Sequence, residues 1–534
     1  MRNQDDGGCR SPNHSWLPFL VLHLLLVGAV GHALLNYRAH ASDYILEQHG
    51  FRQTQTAITA YWFLRDGFRF AYLTPVLGAP WSVPFEFPLF QLLTAYAVKV
   101  TGLSLDTAGR SMSFVFFLAA LWPMFLLGRW MKMPRTFFPI AGTLYCCSPL
   151  YLFWGKTFMI ESLALFLALL FLALAVHVMS AKETPTPGVI GALCVTGTLA
   201  ALVKVTTVGP IFVLVFVLLA TCLVRKWRTD RRLNVAILTG SPVLPTLVAL
   251  ILAGACFLAW NRFADAIKAT SDLTAWLESS NLTGWTFGTA SERVGSELWL
   301  HTILGRAVPE SIGVGALLVL GVAFAARLSR RQWLGVVVYL VLFLGSFLIF
   351  PHLHIVHNYY QYANAVYLLL SAAVVLAALS EERPVWAVGA VLVIATLQLT
   401  GFAKGYGTVG AVRDPADSRV LELSLALKNH MARDAAFVGF GLDWSAEVPY
   451  YSERRGVLVP EPPMLATRLA RNPAAFLGGV PLEAVVVCPS AQQTGDDLAA
   501  IAALTVGSRK ESVAGCEIFT EIRGPGSVRL NPSR

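Results

Sequence analysis

Several groups of polar residues in this 534-residue chain have types and spacing suited to chemistry on an anionic substrate. The segment HGFRQTQTA (49–57) carries Arg52, Gln53 and Gln55. Helical spacing would place Arg52 and Gln55 on one face. A guanidinium presents a planar fork that grips phosphate through two hydrogen bonds. In PWSVPFEFPLFQ (80–91), Glu86 stands between Phe85 and Phe87. A carboxylate in such a setting is a candidate base unless a cation lies close; an interfacial Glu facing water is the other reading. WGKTFMIESLALF (154–166) supplies Lys156 and Glu161, and ALVKVTT supplies Lys204. Snorkelling lysines and a carboxylate at a helix start would account for the same residues. Finally, HLHIVHNYYQYANAVY (352–367) holds His352, His354, His357, Asn358, Tyr359, Tyr360 and Gln361. Three histidines at short spacing suit a metal. No Cys or dense carboxylate cluster accompanies them, and a polar-aromatic belt at a membrane surface explains them too. No metal site is therefore assigned.

The elements that must position these groups follow from composition. The chain is 55% hydrophobic and 14% charged, whereas soluble domains carry roughly 25% charged residues. Disorder, a coiled coil, a disulfide scaffold and an ordinary soluble enzyme are disfavoured. The expectation is a polytopic α-helical membrane protein. Its net charge of +9 comes from Lys and Arg at the ends of apolar runs. No basic stripe interleaved with aromatics appears, which argues against a nucleic-acid partner. Walker, HExxH and GxSxG patterns are absent, no GxGxxG follows a strand, and carboxylates in mid-span are scarce.

A spanning helix needs roughly 20 apolar residues. Such runs fall at about 16–36, 110–128, 136–153, 159–179, 187–204, 207–224, 234–260, 311–326, 333–350, 361–380 and 384–403, or about eleven spans. The first follows Arg2 and Arg10 and reads as an uncleaved signal anchor. Basic loops at Arg129, Lys132 and Arg135, at Arg225, Lys226, Arg228, Arg231 and Arg232, and at Arg327, Arg330 and Arg331 set a cytoplasmic N-terminus. The polar candidates then gather at the outer face. The first outer loop, about 37–109, includes an interfacial helix at 88–103. A second outer segment runs over about 261–310. Residues 1–403 form the transmembrane domain and 404–534 an extracytoplasmic tail. In the tail, helices at 418–433 and 496–504 alternate with strands at 436–441, 482–488 and 516–522. That pattern predicts a small α/β domain. Cys488 and Cys516 could pair if the tail is extracytoplasmic, though spacing alone does not decide connectivity.

Four motifs, in order, carry a resemblance. FRQTQTA (51–57) resembles a WRQADTA-like motif, EFPLF (86–90) an EFPLY-like one, HNYY (357–360) an HDYY-like one, and DWSAEVPYYSERR (443–455) a dWSPxxpYY-like stretch. Together they resemble the GT-C glycosyltransferases, and within them glycosyltransferase family 39, the group of protein O-mannosyltransferases and aminoarabinose transferases. Two positions that are Asp in many relatives are amides here, Gln55 and Asn358. Gln cannot take a proton as a carboxylate does. The resemblance implies an inverting transfer of sugar from a polyprenyl-phosphate donor to a hydroxyl of a glycan, lipid or protein acceptor. It implies Arg52, with Lys204 and Lys156, at the donor phosphate, and Glu86 or Glu161 as catalytic base, with Asp43 and Glu47 behind them. Gln53, Gln55, His357, Asn358, Tyr359 and Tyr360 would contact substrate. Asp443 and Trp444 are either sugar contacts or a structural turn. Some relatives use a divalent cation, and the two lost carboxylates argue against one here. The implied location is the plasma membrane, the bacterial inner membrane. A transporter or flippase of lipid-linked sugar is the alternative, and a non-catalytic envelope assembly protein a third.

Overall fold

The computed structural model describes residues 16–181, 185–230, 243–407, 409–460, 466–490 and 493–522. Arg2, Arg10, Arg231, Arg232 and the first residues of the expected 234–260 span lie outside them. Among the described residues, eight helices are long and apolar enough to cross a membrane. They become nine if Glu297–Ser311 and Gly315–Ala325, bent by 83° at their junction, count as one span.

The expected eleven spans are not reproduced as eleven separate long helices, for local reasons. The 136–153 run is broken into Phe137–Cys147 and Pro149–Trp154. Pro149 follows Ser148, and a residue before proline is steered out of helical geometry; Ser148 is extended, with ψ 128. The 187–204 and 207–224 runs fall in one helical stretch, Pro187–Asp230, interrupted at Lys204 by extended backbone (φ −162, ψ 91). On a straight helix Gly197 and Phe212 would lie about 22 Å apart. Yet the ring of Phe171 packs on Phe212 at 5.0 Å, and a Cβ on Gly197 would sit 2.9 Å from the same ring. The chain therefore folds back sharply at Lys204, and the two halves flank Glu161–Ser180 side by side.

The first long loop carries helix Gly50–Asp66 and the amphipathic Leu89–Thr101, the element expected to lie along the membrane surface. Beyond the last long helix, Pro384–Gly405, the chain forms a five-stranded sheet. Its strands are β1 (Ala436–Phe440), β2 (Arg455–Leu458), β3 (Leu482–Val487), β4 (Arg509–Val513) and β5 (Cys516–Thr520), in the order β2-β1-β3-β5-β4. β1 lies parallel to β2 and β3, while β5 runs antiparallel to β3 and β4. Cys488, just after β3, is disulfide-bonded to Cys516 at the start of β5.

This domain is sewn onto the helices. The open edge of β2 is covered by loop residues: Gly456 N–H donates to Pro75 O and Leu458 N–H to Val76 O, both at 2.9 Å. Tyr450 and Tyr451 both donate to the carboxylate of Asp106, the latter at 3.0 Å. Ile45 N–H donates to the Tyr451 hydroxyl at 2.9 Å.

Candidate active site

Helix Gly50–Asp66 sets the first part of the site. His49 sits just ahead of it in a left-handed conformation (φ 56, ψ 40) and makes no side-chain cap bond. That backbone costs a non-glycine residue of order 1–3 kcal/mol, and it frees the imidazole for contacts beyond its own helix. One turn on, Arg52 Nη1 donates to Gln55 Oε1 at 2.6 Å, the i,i+3 pairing expected from spacing. Arg52 Nη2 donates to Glu86 Oε1 at 2.9 Å. Gln91, from Leu89–Thr101, donates to the same oxygen at 3.3 Å. The guanidinium is thus oriented by an amide and a carboxylate that engage two of its five N–H donors, leaving the others open. Burial opposes its charge, but Glu86, and with it Tyr359, Glu161 and Tyr360, holds it firmly protonated.

A second ion pair comes from the fold-back. Lys204 Nζ lies 2.6 Å from Glu161 Oε1, with both side chains almost wholly buried. Glu161 Oε2 has no hydrogen-bond partner among the described residues. The ammonium stands 4.1 Å from the ring centre of Tyr360 and 5.3 Å from that of Tyr359, positions that add cation–π attraction.

The late cluster closes onto both pairs. Asn358 Nδ2 donates to Gln48 Oε1 at 3.1 Å, so its Oδ1 is left to accept from His49 Nε2 at 2.9 Å. This network assigns the proton to Nε2 and leaves Nδ1 with the lone pair. His49 packs against Tyr359 at 4.9 Å, His357 at 5.6 Å and Trp154 at 5.7 Å. Burial pushes the His49 imidazole below its ordinary value, against the hydrogen bond it donates to Asn358 and with the help of Arg306. His357 is pushed down to about 4 by burial and then by His49, Lys204 and Arg52. Both rings are neutral near pH 7, so Arg52, Lys204 and Arg306 carry the positive charge near the cluster.

The structure gathers Arg52, Gln55, Glu86, Glu161, Lys204, His357, Asn358, Tyr359 and Tyr360 into one neighbourhood. It places three other candidates differently. Gln53 is fully buried and braces two loops: its Nε2 donates to Gln48 O at 3.2 Å and its Oε1 accepts from Phe158 N–H at 3.0 Å. Lys156 lies in a separate polar cluster with Asp43, Glu47 and Arg110. Asp443 is exposed, at a positive-φ turn after β1. Its neighbour Trp444 packs edge-on against Phe51 at 4.9 Å and Trp276 at 5.7 Å, and near Phe85 at 6.2 Å. An aromatic side chain from the sheet domain thus packs on Phe51 and Phe85, the chain neighbours of Arg52 and Glu86.

The three histidines of the late motif separate. His352 Nδ1 contacts Glu292 Oε1 at 2.7 Å, His354 is buried against Phe347, and only His357 joins the cluster. Among the described residues no group of three His, Cys, Asp or Glu is placed to hold a metal ion. Sequence reasoning passed over His49, although it precedes Arg52 by only three residues, within the segment 49–57. It also passed over Trp276, which no sequence pattern marks.

The arrangement offers two cations set among aromatic rings, two carboxylates already paired with them, and a neutral imidazole with an open lone pair. It can bind a phosphate and stabilise charge growing on a leaving phosphate oxygen.

No protein-family model matches this sequence, and no curated protein matches it. Solved structures do. ArnT from Cupriavidus metallidurans, bound to undecaprenyl phosphate, superposes over 94% of this chain and 99% of its own, with a TM-score of 0.61 at 14% identity. The archaeal oligosaccharyltransferase AglB from Archaeoglobus fulgidus, in complex with an inhibitory peptide and a dolichol-phosphate, superposes over 87% of this chain and 69% of its own, with a TM-score of 0.54 at 11% identity. The mycobacterial arabinofuranosyltransferase AftD gives 0.50 at 13% identity, over 93% of this chain and 39% of its own. The fold is that of the GT-C glycosyltransferases, on a multi-pass membrane core with a small sheet domain at its C-terminal end.

Proposed function

We propose that this chain is an inverting membrane glycosyltransferase that takes sugar from a polyprenyl-phosphate donor and delivers it to an acceptor hydroxyl at the outer face of the plasma membrane. The observation that carries the reading is that two largely buried ion pairs, Arg52–Glu86 and Lys204–Glu161, whose cations are more than 150 residues apart in sequence, come together at one place, with Lys204 over the rings of Tyr359 and Tyr360 and Arg52 within electrostatic reach of both. A phosphate needs such a paired grip, and the aromatic faces suit the start of an isoprenoid chain. Support for the donor class comes from the undecaprenyl phosphate and dolichol-phosphate held by the two GT-C structures above. The disulfide of the sheet domain supports an extracytoplasmic side for that domain, because disulfides persist outside the reducing cytoplasm.

In the proposed step the acceptor oxygen attacks the anomeric carbon, the bond from that carbon to phosphate oxygen breaks, and the lipid phosphate leaves. Arg52 and Lys204 hold the departing oxygens. Glu86 takes the acceptor proton. When phosphate claims the guanidinium, Glu86 is released from its ion pair and becomes available to the acceptor entering past Trp444. Glu161 keeps Lys204 in place, and Gln55 keeps Arg52 in place. No divalent cation is needed: with Gln55 and Asn358 where relatives have Asp, the donor set is too poor in carboxylates.

The test uses purified protein in lipid vesicles with a mixed set of polyprenyl-phosphate sugars. Release of free lipid phosphate, unaffected by a chelator and lowered about 10²–10⁴-fold by Glu86→Gln, is the expected result. Movement of sugar-lipid across the bilayer without cleavage would replace this reading with that of a transporter.

A further inference from the structure

A second polar cavity, of about 70 Å³, lies beside the site just described. It has room for several water-sized groups. Its polar walls are Asn36, His40, Asp43, Glu47, Arg110 and Lys156. Neighbouring residues of the chain face the two sites: Glu47 lines this cavity while His49 faces Asn358, and Phe153 lines it while Trp154 packs on His49.

Most charges here are matched. Arg110 Nη2 donates to Glu47 Oε2 at 2.6 Å, and its other nitrogens donate to backbone carbonyls. Asp43 receives His40 at 2.7 Å and Arg413 at 2.9 Å. Two groups remain. Lys156 is only 5% exposed, and its ammonium makes no ion pair or hydrogen bond among the described residues, lying 5.2 Å from the ring centre of Phe153. Glu47 Oε1 is buried without a hydrogen-bond partner among the described residues. A buried ammonium and a buried carboxylate oxygen left unsatisfied are costly. A ligand that relieves both carries an anionic oxygen for the first and a hydroxyl for the second. Asn36 and His40 come from the end of Trp16–His40, and Phe402 from the end of Pro384–Gly405, so the cavity lies between two membrane helices where a headgroup could enter from lipid.

We propose that this cavity is a second binding site, distinct from the Arg52 site, for a glycerophosphate-type group: phosphate on Lys156 and a glycerol hydroxyl on Glu47 Oε1. The group is supplied either as a lipid headgroup or as free glycerol phosphate. Burial, and after it Arg110, hold the Lys156 ammonium down to about 8, against Glu47 and Asp43. With His40, Asp43, Glu47 and Arg110 facing it, Lys156 is the group here that changes charge just above neutrality.

Native mass spectrometry of the full-length chain released from detergent tests the site, with phosphatidylglycerol, phosphatidylcholine or sn-glycerol 3-phosphate added. Wild type and Arg52→Ala should retain phosphatidylglycerol about tenfold better than phosphatidylcholine, and Lys156→Met should lose that preference. In wild type alone, which needs no variant to fold, affinity should fall about tenfold per pH unit above about pH 8. Retention of the lipid identifies a headgroup; retention of glycerol phosphate without the lipid identifies the free molecule. Equal retention by Lys156→Met, loss of retention in Arg52→Ala, affinity independent of pH between 7 and 10, or no retention by wild type each overturns the proposal.

Discussion

Replacing Lys204 separates what holds the site together from what the site does. The ammonium lies 2.6 Å from Glu161, with the two side chains 9% and 4% exposed. Glu161 Oε2 already lacks a hydrogen-bond partner among the described residues, so Lys204→Met leaves a buried carboxylate with neither oxygen matched by a charge. Breaking a buried pair from one side costs about 3–5 kcal/mol. The extended backbone at Lys204 accepts any side chain, so no strain is added. Removing both partners, in Lys204→Met with Glu161→Leu, should recover most of that loss, because apolar replacement of a buried pair is often neutral. Thermal unfolding in lipid nanodiscs should therefore rank the single variant lowest, with the double variant close to wild type. Release of lipid phosphate should be lost in both, since neither has the second cation. A single variant as stable as wild type would show that the pair is not buried. A double variant that regains cleavage would remove Lys204 from the phosphate grip.

Other expectations follow from the same geometry. Trp444→Ala removes the aromatic side chain packed on Phe51 and Phe85 and should raise the acceptor KM about tenfold or more, leaving donor binding unchanged in an equilibrium assay; weakened donor binding would place the role of that side chain elsewhere. Burial depresses the His49 imidazole, so it is neutral above 6.5 and gains a proton only as pH falls below that value. Any loss of activity caused by charging His49 must lie below pH 6.5 and vanish in His49→Gln; a limb above pH 6.5 that vanishes in that variant would contradict its buried position. Burial raises the Asp43 carboxyl, but hydrogen bonds from His40 and Arg413, with the charge of Arg413, outweigh it and hold the group below its ordinary 3.8. The stability this gives is present above that value and lost as pH falls through the lower folded one. Arg413→Ala should therefore shift acid unfolding to higher pH, and an unchanged midpoint would show that the contact contributes nothing.

Part of the site was legible because polar groups are costly inside a bilayer and collect where apolar runs end, as Glu161, Lys204 and the HNYY segment do. Arg52 and Gln55 paired as helical spacing requires. What spacing could not show was direction. Lys156 and Glu161 are five residues apart, yet the turn between them sends one to the cavity with Arg110 and the other to Lys204. His49 was hidden by its conformation: a residue before a helix ordinarily caps it, and only the left-handed backbone turns this side chain toward Asn358. β4, with the sequence RKESV, carries no apolar alternation because four of its five residues are exposed at the sheet edge. The span count fell short where Ser148 precedes a proline and where the chain doubled back without a polar loop.

The two amides that stand where the resembled motifs have Asp make physical sense once Arg52 is seen in place. Gln55 Oε1 takes one guanidinium nitrogen at 2.6 Å and Glu86 takes another at 2.9 Å. With a neutral partner on one side and a carboxylate on the other, Arg52 is oriented twice but neutralised once. Lys204 is neutralised once as well, by Glu161, so each of these two cations is already matched before any phosphate arrives. A carboxylate at position 55 would add a negative charge on the far side of the guanidinium from the phosphate; at a separation of about 5–6 Å the repulsion is about 3 kcal/mol at an effective dielectric of 20. Gln55→Glu should therefore weaken binding of a polyprenyl phosphate about 100-fold. Raising the magnesium concentration should restore part of that affinity, because a cation could then sit between carboxylate and phosphate. Unchanged donor affinity in Gln55→Glu would mean that phosphate does not sit on this guanidinium, and the amides would lose their rationale.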